Sequence, residues 1–176
     1  MVGDSRTGDT QKFDGPYFLL QWLVRQPRVA LVPLVGDPTM VRFNMVPSDF
    51  VLDAITHLSG RADTAGGTFQ LADPRPLTVA GLLDEMCRAT GRRGIRVRLP
   101  HRLTTWSLAH VQPLARWIGI PASAVEYFVH PTHYDTAQTD ADLAGSGIAC
   151  PPVPDYLPNL VRFMAEHRDA NLGVMV

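Results

Sequence analysis

The chain has 176 residues, 45% of them hydrophobic and 19% charged, with a net charge of −1; this is length enough for one domain with a real core. The near-neutral charge excludes an electrostatic case for nucleic acid or an anionic membrane surface. No apolar run reaches the roughly 18 residues of a membrane span and no signal-peptide pattern opens the sequence, so a cytoplasmic protein with no membrane span is expected.

In chain order, the opening MVGDSRTGDTQKFDGP is polar and rich in Gly, Asp, Ser and Thr. It predicts a flexible loop over 1–15, leaving a strand of which only Met1 and Val2 are present. Pro16 suits a first helical position, and Leu19, Leu20, Leu23 and Val24 follow at helical spacing, predicting a helix over 16–26 that Pro27 ends. Val29 to Val35 is apolar but broken by Pro33, at best an edge strand. Gly36-Asp37-Pro38 turns the chain.

Val41 to Ser59 is the most strongly patterned stretch. Val41, Phe43, Met45 and Val46 predict a strand over 41–46, which Pro47 stops because its nitrogen has no hydrogen for a ladder. Ser48 is the expected N-cap of a helix over 48–59, with Asp49 in the first turn where the helix dipole favours negative charge. Val51, Ala54, Ile55 and Leu58 form its apolar face, and Gly60 stops it. A strand feeding a helix in this way is half of a β-α-β unit.

TFQLA (68–72) reads as a strand ended by Asp73-Pro74-Arg75-Pro76. Thr78 caps a predicted helix over 78–90 with Val79, Leu82, Leu83, Met86 and Cys87 inward and Gly91 as its stop, although Gly81 stands where a capping-box Glu would help. Ile95 to Leu99 alternates apolar residues with arginine, predicting a strand over 95–99 with one wet face. Leu103, Trp106, Val111, Leu114 and Trp117 predict a helix over 102–118, kinked near Pro113; Ala124 to Val129 fits either helix or strand. Thr139 caps a short helix ending at Gly145, and Asp155 caps a final helix over 155–167 carrying Leu157, Leu160, Val161 and Met164. The expected organisation is a single α/β domain over 1–176, without repeats.

Several residue groups invite a chemical reading. His130, His133 and Asp135 lie close together, but Pro131 separates the histidines and the His–Glu–His helical zinc spacing is absent, so no metal is expected. Ser146 in AGSGIA lacks the flanking glycines of a nucleophile elbow. Cys87 falls in a helix and Cys150 in a Pro-rich loop, which argues against a disulfide framework. Asn44 and Asp49 bracket the strand-to-helix junction, where α/β folds place ligands outside the carboxyl ends of strands; a strand-edge amide and a dipole-favoured carboxylate is the plainer account.

Four segments, GDSRTGDTQKFDGPYF, VRFNMVPSDFVLDAI, TFQLADPRPLTVAGLLDE and LAGSGIACPPVPDYLPNLVRFM, together resemble the carboxy-terminal part of extended short-chain dehydrogenases/reductases. The similarity is to the NAD-dependent epimerase/dehydratase-like group, in its thioester-reductase and male-sterility-type NAD(P)-binding branch. The resemblance implies a Rossmann-type α/β reductase, of which this chain is the substrate-binding portion with the cofactor-binding half missing. Family members carry a glycine-rich nucleotide turn and a Tyr-x-x-x-Lys catalytic pair. Here Lys12 is the only lysine and Gly8 stands at the partner position, so no catalytic residue is assigned and the chain alone is expected to be inactive.

By the same resemblance, Gly3, Asp4 and Ser5 are similar to the loop beside nicotinamide and substrate, if a second half is supplied; for this chain alone a flexible polar terminus is the plainer account. Lys12, Asp14 and Tyr17 are similar to a substrate-side loop, though Asp14 before Gly15-Pro16 also reads as a helix cap. Arg42 matches, by position only, an arginine contacting substrate phosphate in nucleotide-sugar relatives; a solvated arginine is the alternative. With Asn44 and Asp49 these complete the substrate-side set. NAD or NADP serves the relatives, with tight binding to this chain alone not expected. The implied partners are a small-molecule substrate and either a second copy or another chain covering the apolar face. The alternative is a non-catalytic binding or regulatory fragment, or a decayed relative.

Overall fold

The described helices lie close to the expected ranges. In chain order, the elements of the computed structural model are α1 (Pro16–Arg25), β1 (Val29–Leu34), α2 (Ser48–Ser59), a 3-10 turn (Ala62–Thr64), α3 (Val79–Ala89), β2 (Arg93–Arg98), α4 (Ala137–Leu143) and α5 (Val153–Glu166). The structure describes residues 1–34, 39–98 and 132–167, so the helix expected over 102–118 and the 124–129 segment lie outside the described residues. The described residues fall into two units. One holds Met1–Gln11, Asn44–Pro76 and His133–His167; the other draws on Lys12–Phe43 and Leu77–Thr132.

In the second unit, β1 and β2 pair in parallel, Val29 opposite Arg93 through Leu34 opposite Arg98. α1 starts on a proline and buries Tyr17, Leu20 and Leu23, each large apolar side chain contributing about 1.5–3 kcal/mol when removed from water. Thr78 caps α3 as expected, its Oγ1 accepting the Gly81 amide at 3.1 Å. Arg92 closes the helix ends, its guanidinium donating to the carbonyls of Val24 at 2.9 Å, Gln26 at 3.1 Å and Thr90 at 2.7 Å, groups that a helix terminus leaves unmatched. The alternation in β2 runs opposite to expectation. Gly94 faces α3 so closely that a Cβ there would stand 2.9 Å from Cys87 Sγ, and Arg96 pairs with Asp84 of α3, whereas Ile95 is 51% exposed.

The first unit is built on α2. Val46, Phe50, Ala54, Leu58, Leu143 and Cys150 form its buried cluster, with Val51, Phe69, Leu71 and Ile148 packed around them. α5 buries Val153, Tyr156, Leu157, Leu160 and Met164, and its Tyr156 hydroxyl donates to the Met45 carbonyl at 2.9 Å. Arg61 ties the end of α2 to α4 through the Asp142 carbonyl at 2.6 Å.

The expected strands at 41–46 and 68–72 do not form ladders. The first is reduced to isolated bridges, Arg42 with Thr78 and Pro47 with Val2, because Asn44 turns its amide onto the Asp73 backbone instead, with both bonds at 3.0 Å. In the second, Phe69 and Leu71 pack against the core cluster, but among the described residues no ladder forms there and the Ala72 amide bonds back to the Gln70 carbonyl at 3.1 Å. Helix starts also shift. Pro47, not Ser48, stands at the N-cap of α2, and Pro152, not Asp155, at that of α5. Thr136 takes the cap position of α4, while Thr139 is buried inside that helix. None of the described helices is long and apolar enough to cross a membrane.

Candidate functional site

The site residues in the first unit gather where the Gly3–Asp9 loop meets the first turn of α2. Val2 donates its amide to the Val46 carbonyl at 2.8 Å, and Ser48 donates to the Gly3 carbonyl at 3.3 Å. Over residues 2–9 this polar segment thus makes specific backbone hydrogen bonds. Within the loop, the Asp4 amide donates to the Asp9 carbonyl at 3.0 Å and the Gly8 amide to the Asp4 carbonyl at 2.9 Å, closing a compact ring.

Asp4 and Asp49 hold this ring in different ways. Asp4 Oδ1 accepts the Arg6 amide at 2.9 Å, the Thr7 amide at 2.8 Å and the Thr7 hydroxyl at 3.0 Å. The Thr7 amide bond leads in holding the Asp4 carboxyl below the usual carboxylate range; burial partly opposes it, and the Arg6 amide, the Thr7 hydroxyl and the Arg6 charge assist. Asp49 reaches back from α2. Its Oδ1 accepts the Ser5 amide at 2.9 Å and its Oδ2 accepts the Ser5 hydroxyl at 2.5 Å. The Arg6 Nε lies 3.8 Å away, on a side chain 76% exposed beside an Asp49 side chain only 14% exposed.

α5 holds the other side of the loop. Asn159 donates its side-chain amide to the Ser5 carbonyl at 2.8 Å. Gly8, at φ +81°, lies on the same residue, and a Cβ there would stand 2.3 Å from the Asn159 carbonyl oxygen. Sequence reasoning missed Asn159 and the structural part of Gly8. A polar residue interrupting the apolar face of the last helix was the available signal for Asn159.

In the same unit, Asp73 is buried and its Oδ1 accepts the Arg75 amide at 2.8 Å. Burial raises its carboxyl, with the Arg75 amide bond and charge opposing. Burial, reinforced by the Asp73, Asp49 and Asp140 carboxylates and opposed by Arg75, pushes the Cys150 thiol up to about 12. Burial raises the Cys87 thiol as well. Neither is a thiolate nucleophile at neutral pH. Ser146 caps the end of α4, donating to the Leu143 carbonyl at 2.6 Å and accepting the Ile148 amide at 3.1 Å. Among the described residues no group of three His, Cys, Asp or Glu side chains is placed to hold a metal; His133 and Asp135 are exposed, and His130 lies outside the described residues.

Gly3, Asp4, Ser5, Asn44 and Asp49 therefore share one unit, and Ser5 and Asp49 are in direct contact. Asn44 is committed to Asp73. Lys12, Asp14, Tyr17 and Arg42 belong to the other unit. There, Lys12, Asp14 and Arg42 are exposed at the side chain and Tyr17 is buried, its ring edge-on to Phe13 with centroids 5.2 Å apart. Asp14 is not the helix cap. Gly15 occupies that position, and Asp14 contributes only its main-chain carbonyl, which accepts the Tyr17 amide at 3.2 Å.

The glycine pair that could offer a pyrophosphate cradle is not placed to form one. The sequence's one Gly-x-Gly, at Gly145-Ser146-Gly147, follows helix α4 rather than a strand, and Ser146 is spent on capping that helix; a pyrophosphate cradle needs a strand-to-helix turn with open backbone amides.

No family model and no curated protein matches the sequence. Among solved structures, the chain is similar to the terminal R domain from the myxalamid PKS-NRPS biosynthetic pathway, at 23% identity and a TM-score of 0.67. The match covers 94% of this chain and 42% of that one, so the chain spans less than half of its neighbour's length. At this identity the likeness is one of fold, and it is the fold that the four sequence segments led us to expect.

Proposed function

We propose that this chain is the substrate-binding, carboxy-terminal portion of an NAD(P)-dependent oxidoreductase of the short-chain dehydrogenase/reductase type. The observation that carries this reading is the fold likeness to an R domain over 94% of the chain. The sequence resemblance to the thioester-reductase branch supports it independently. In this reading Gly3, Asp4 and Ser5 form the wall beside the nicotinamide of a cofactor held elsewhere. Lys12, Asp14, Tyr17, Arg42, Asn44 and Asp49 are the candidates on the substrate side. Hydride transfer is supplied by a Rossmann half that brings the glycine-rich turn and the Tyr-x-x-x-Lys pair, because these residues contain neither. Leu52 and Ile55 on the outer side of α2, both at least half exposed, belong to the surface that a second chain or second copy covers.

The experiment is an NADPH and NADH oxidation assay on the purified chain, alone and mixed with a separately produced Rossmann-half protein of this family. No turnover alone and turnover on mixing is the expected outcome. Turnover by the chain alone would refute the claim that the chemistry lies elsewhere; silence in both would favour a non-catalytic binding fragment.

A further inference from the structure

Asp49 stands in the first turn of α2, and that turn receives no side-chain cap at its N-terminus. A carboxylate there ordinarily serves its own helix. Here both oxygens are engaged by Ser5, 44 residues earlier in sequence, one by the amide and one by the hydroxyl. The rest of the loop is matched as well: Gly3 to Ser48, Asp4 to Gly8 and Asp9, and the Ser5 carbonyl to Asn159. Asp49 is the one charged group that joins this loop to α2 while itself mostly buried. A carboxylate accepting two bonds from one residue fixes that residue's position and its side-chain rotation together.

We infer that Asp49 serves the substrate side as a positioning residue, through its bonds to Ser5. Acting through Ser5, with Asn159 as the second anchor, it holds the Gly3–Asp9 loop in a single conformation that leaves Arg6, Thr7 and Asp9 exposed. The relevance of that loop to nicotinamide rests on the reading above, but the conformational claim does not.

The test is solution NMR on the full chain, comparing the wild type with Asp49→Asn, Asp49→Glu and Ser5→Ala. The Ser5 amide proton, bonded to a carboxylate, resonates downfield. Asp49→Asn moves it upfield and speeds amide exchange at Ser5, Arg6 and Thr7 by about tenfold or more, while the α5 amides of Leu157 and Leu160 keep their protection. Asp49→Glu, which retains the carboxylate, recovers part of the shift. Ser5→Ala keeps the amide bond, so its shift persists while loop exchange rises moderately. An unmoved Ser5 resonance in Asp49→Asn, or unchanged loop exchange, overturns the inference. Should Asp49→Asn unfold the chain, Ser5→Ala decides: faster exchange confined to the loop supports the inference and none overturns it. No cofactor or substrate enters the measurement, so a failed reconstitution of turnover would count against the reductase reading alone.

Discussion

Gly8 and Asn159 approach each other so closely that no side chain fits between them: a Cβ on Gly8 would lie 2.3 Å from the Asn159 carbonyl oxygen and 2.8 Å from Phe163 Cβ. The positive φ of Gly8, +81°, adds a second reason why only glycine serves there.

Gly8→Ala therefore destabilises the chain by about 2–4 kcal/mol, combining left-handed strain with overlap against helix backbone. Gly145→Ala is the control. Its φ of +79° is similar, but nothing lies within 4 Å of the added carbon, so only the conformational cost of about 1 kcal/mol applies. Urea denaturation midpoints of the two variants separate the terms; equal losses would show that the Gly8–Asn159 approach costs nothing.

Cys150 gives a chemical readout of burial. With its thiol pushed up to about 12 from an ordinary 9.0, the native chain holds about a thousandfold less thiolate than the unfolded chain at mildly alkaline pH. In a Cys87→Ser background, Ellman's reagent should label Cys150 at the rate of unfolding in native buffer and at once in denaturant. The sign of the linkage follows. The unfolded chain releases its thiol proton first, so stability is unaffected below about pH 9 and falls as pH rises from there toward 12. Fast native labelling would place Cys150 at the surface.

Asp4 acts at the other end of the pH scale. Its carboxyl is held below 3.8, chiefly by the Thr7 amide, so its contribution is present above that pH and is lost as pH falls through the lower native value. Asp4→Asn keeps an acceptor oxygen for the turn but removes the ionisation. Denaturation midpoints followed from about pH 5 to pH 2 should fall less steeply in the variant than in the wild type, and parallel slopes would remove Asp4 from the account.

The helices were legible in the sequence because their signal is local. The spacing of Leu20 and Leu23, of Ala54 and Leu58, and of Leu82, Leu83 and Met86 specifies a buried face without knowledge of anything else, but in α2 the face is rotated from the expected one: Ile55 is 50% exposed and Phe50 is buried instead. Strands need a partner, and the pattern does not name it: Val41 to Val46 alternates suitably but finds only single bridges. In β2 the pattern misled, since the inward position is occupied by Gly94, whose lack of a side chain lets the strand approach Cys87. The site was half legible. Ser5 and Asp49 were each marked as candidates, but a bond across 44 residues leaves no trace in local spacing, and Asn159, 154 residues from Ser5, shows only as a polar break in the apolar face of the last helix.

That last separation bears on how the molecule is made. Ser5 is synthesised long before Asn159, and at the usual pace of translation the wait is on the order of ten seconds or more. Throughout it, the loop lacks one of its two anchors. A ribosome stalled between α2 and α5 would therefore display this loop held by Asp49 alone. Proteolysis of stalled nascent chains should cut there first, and completion of the last helix should close that window.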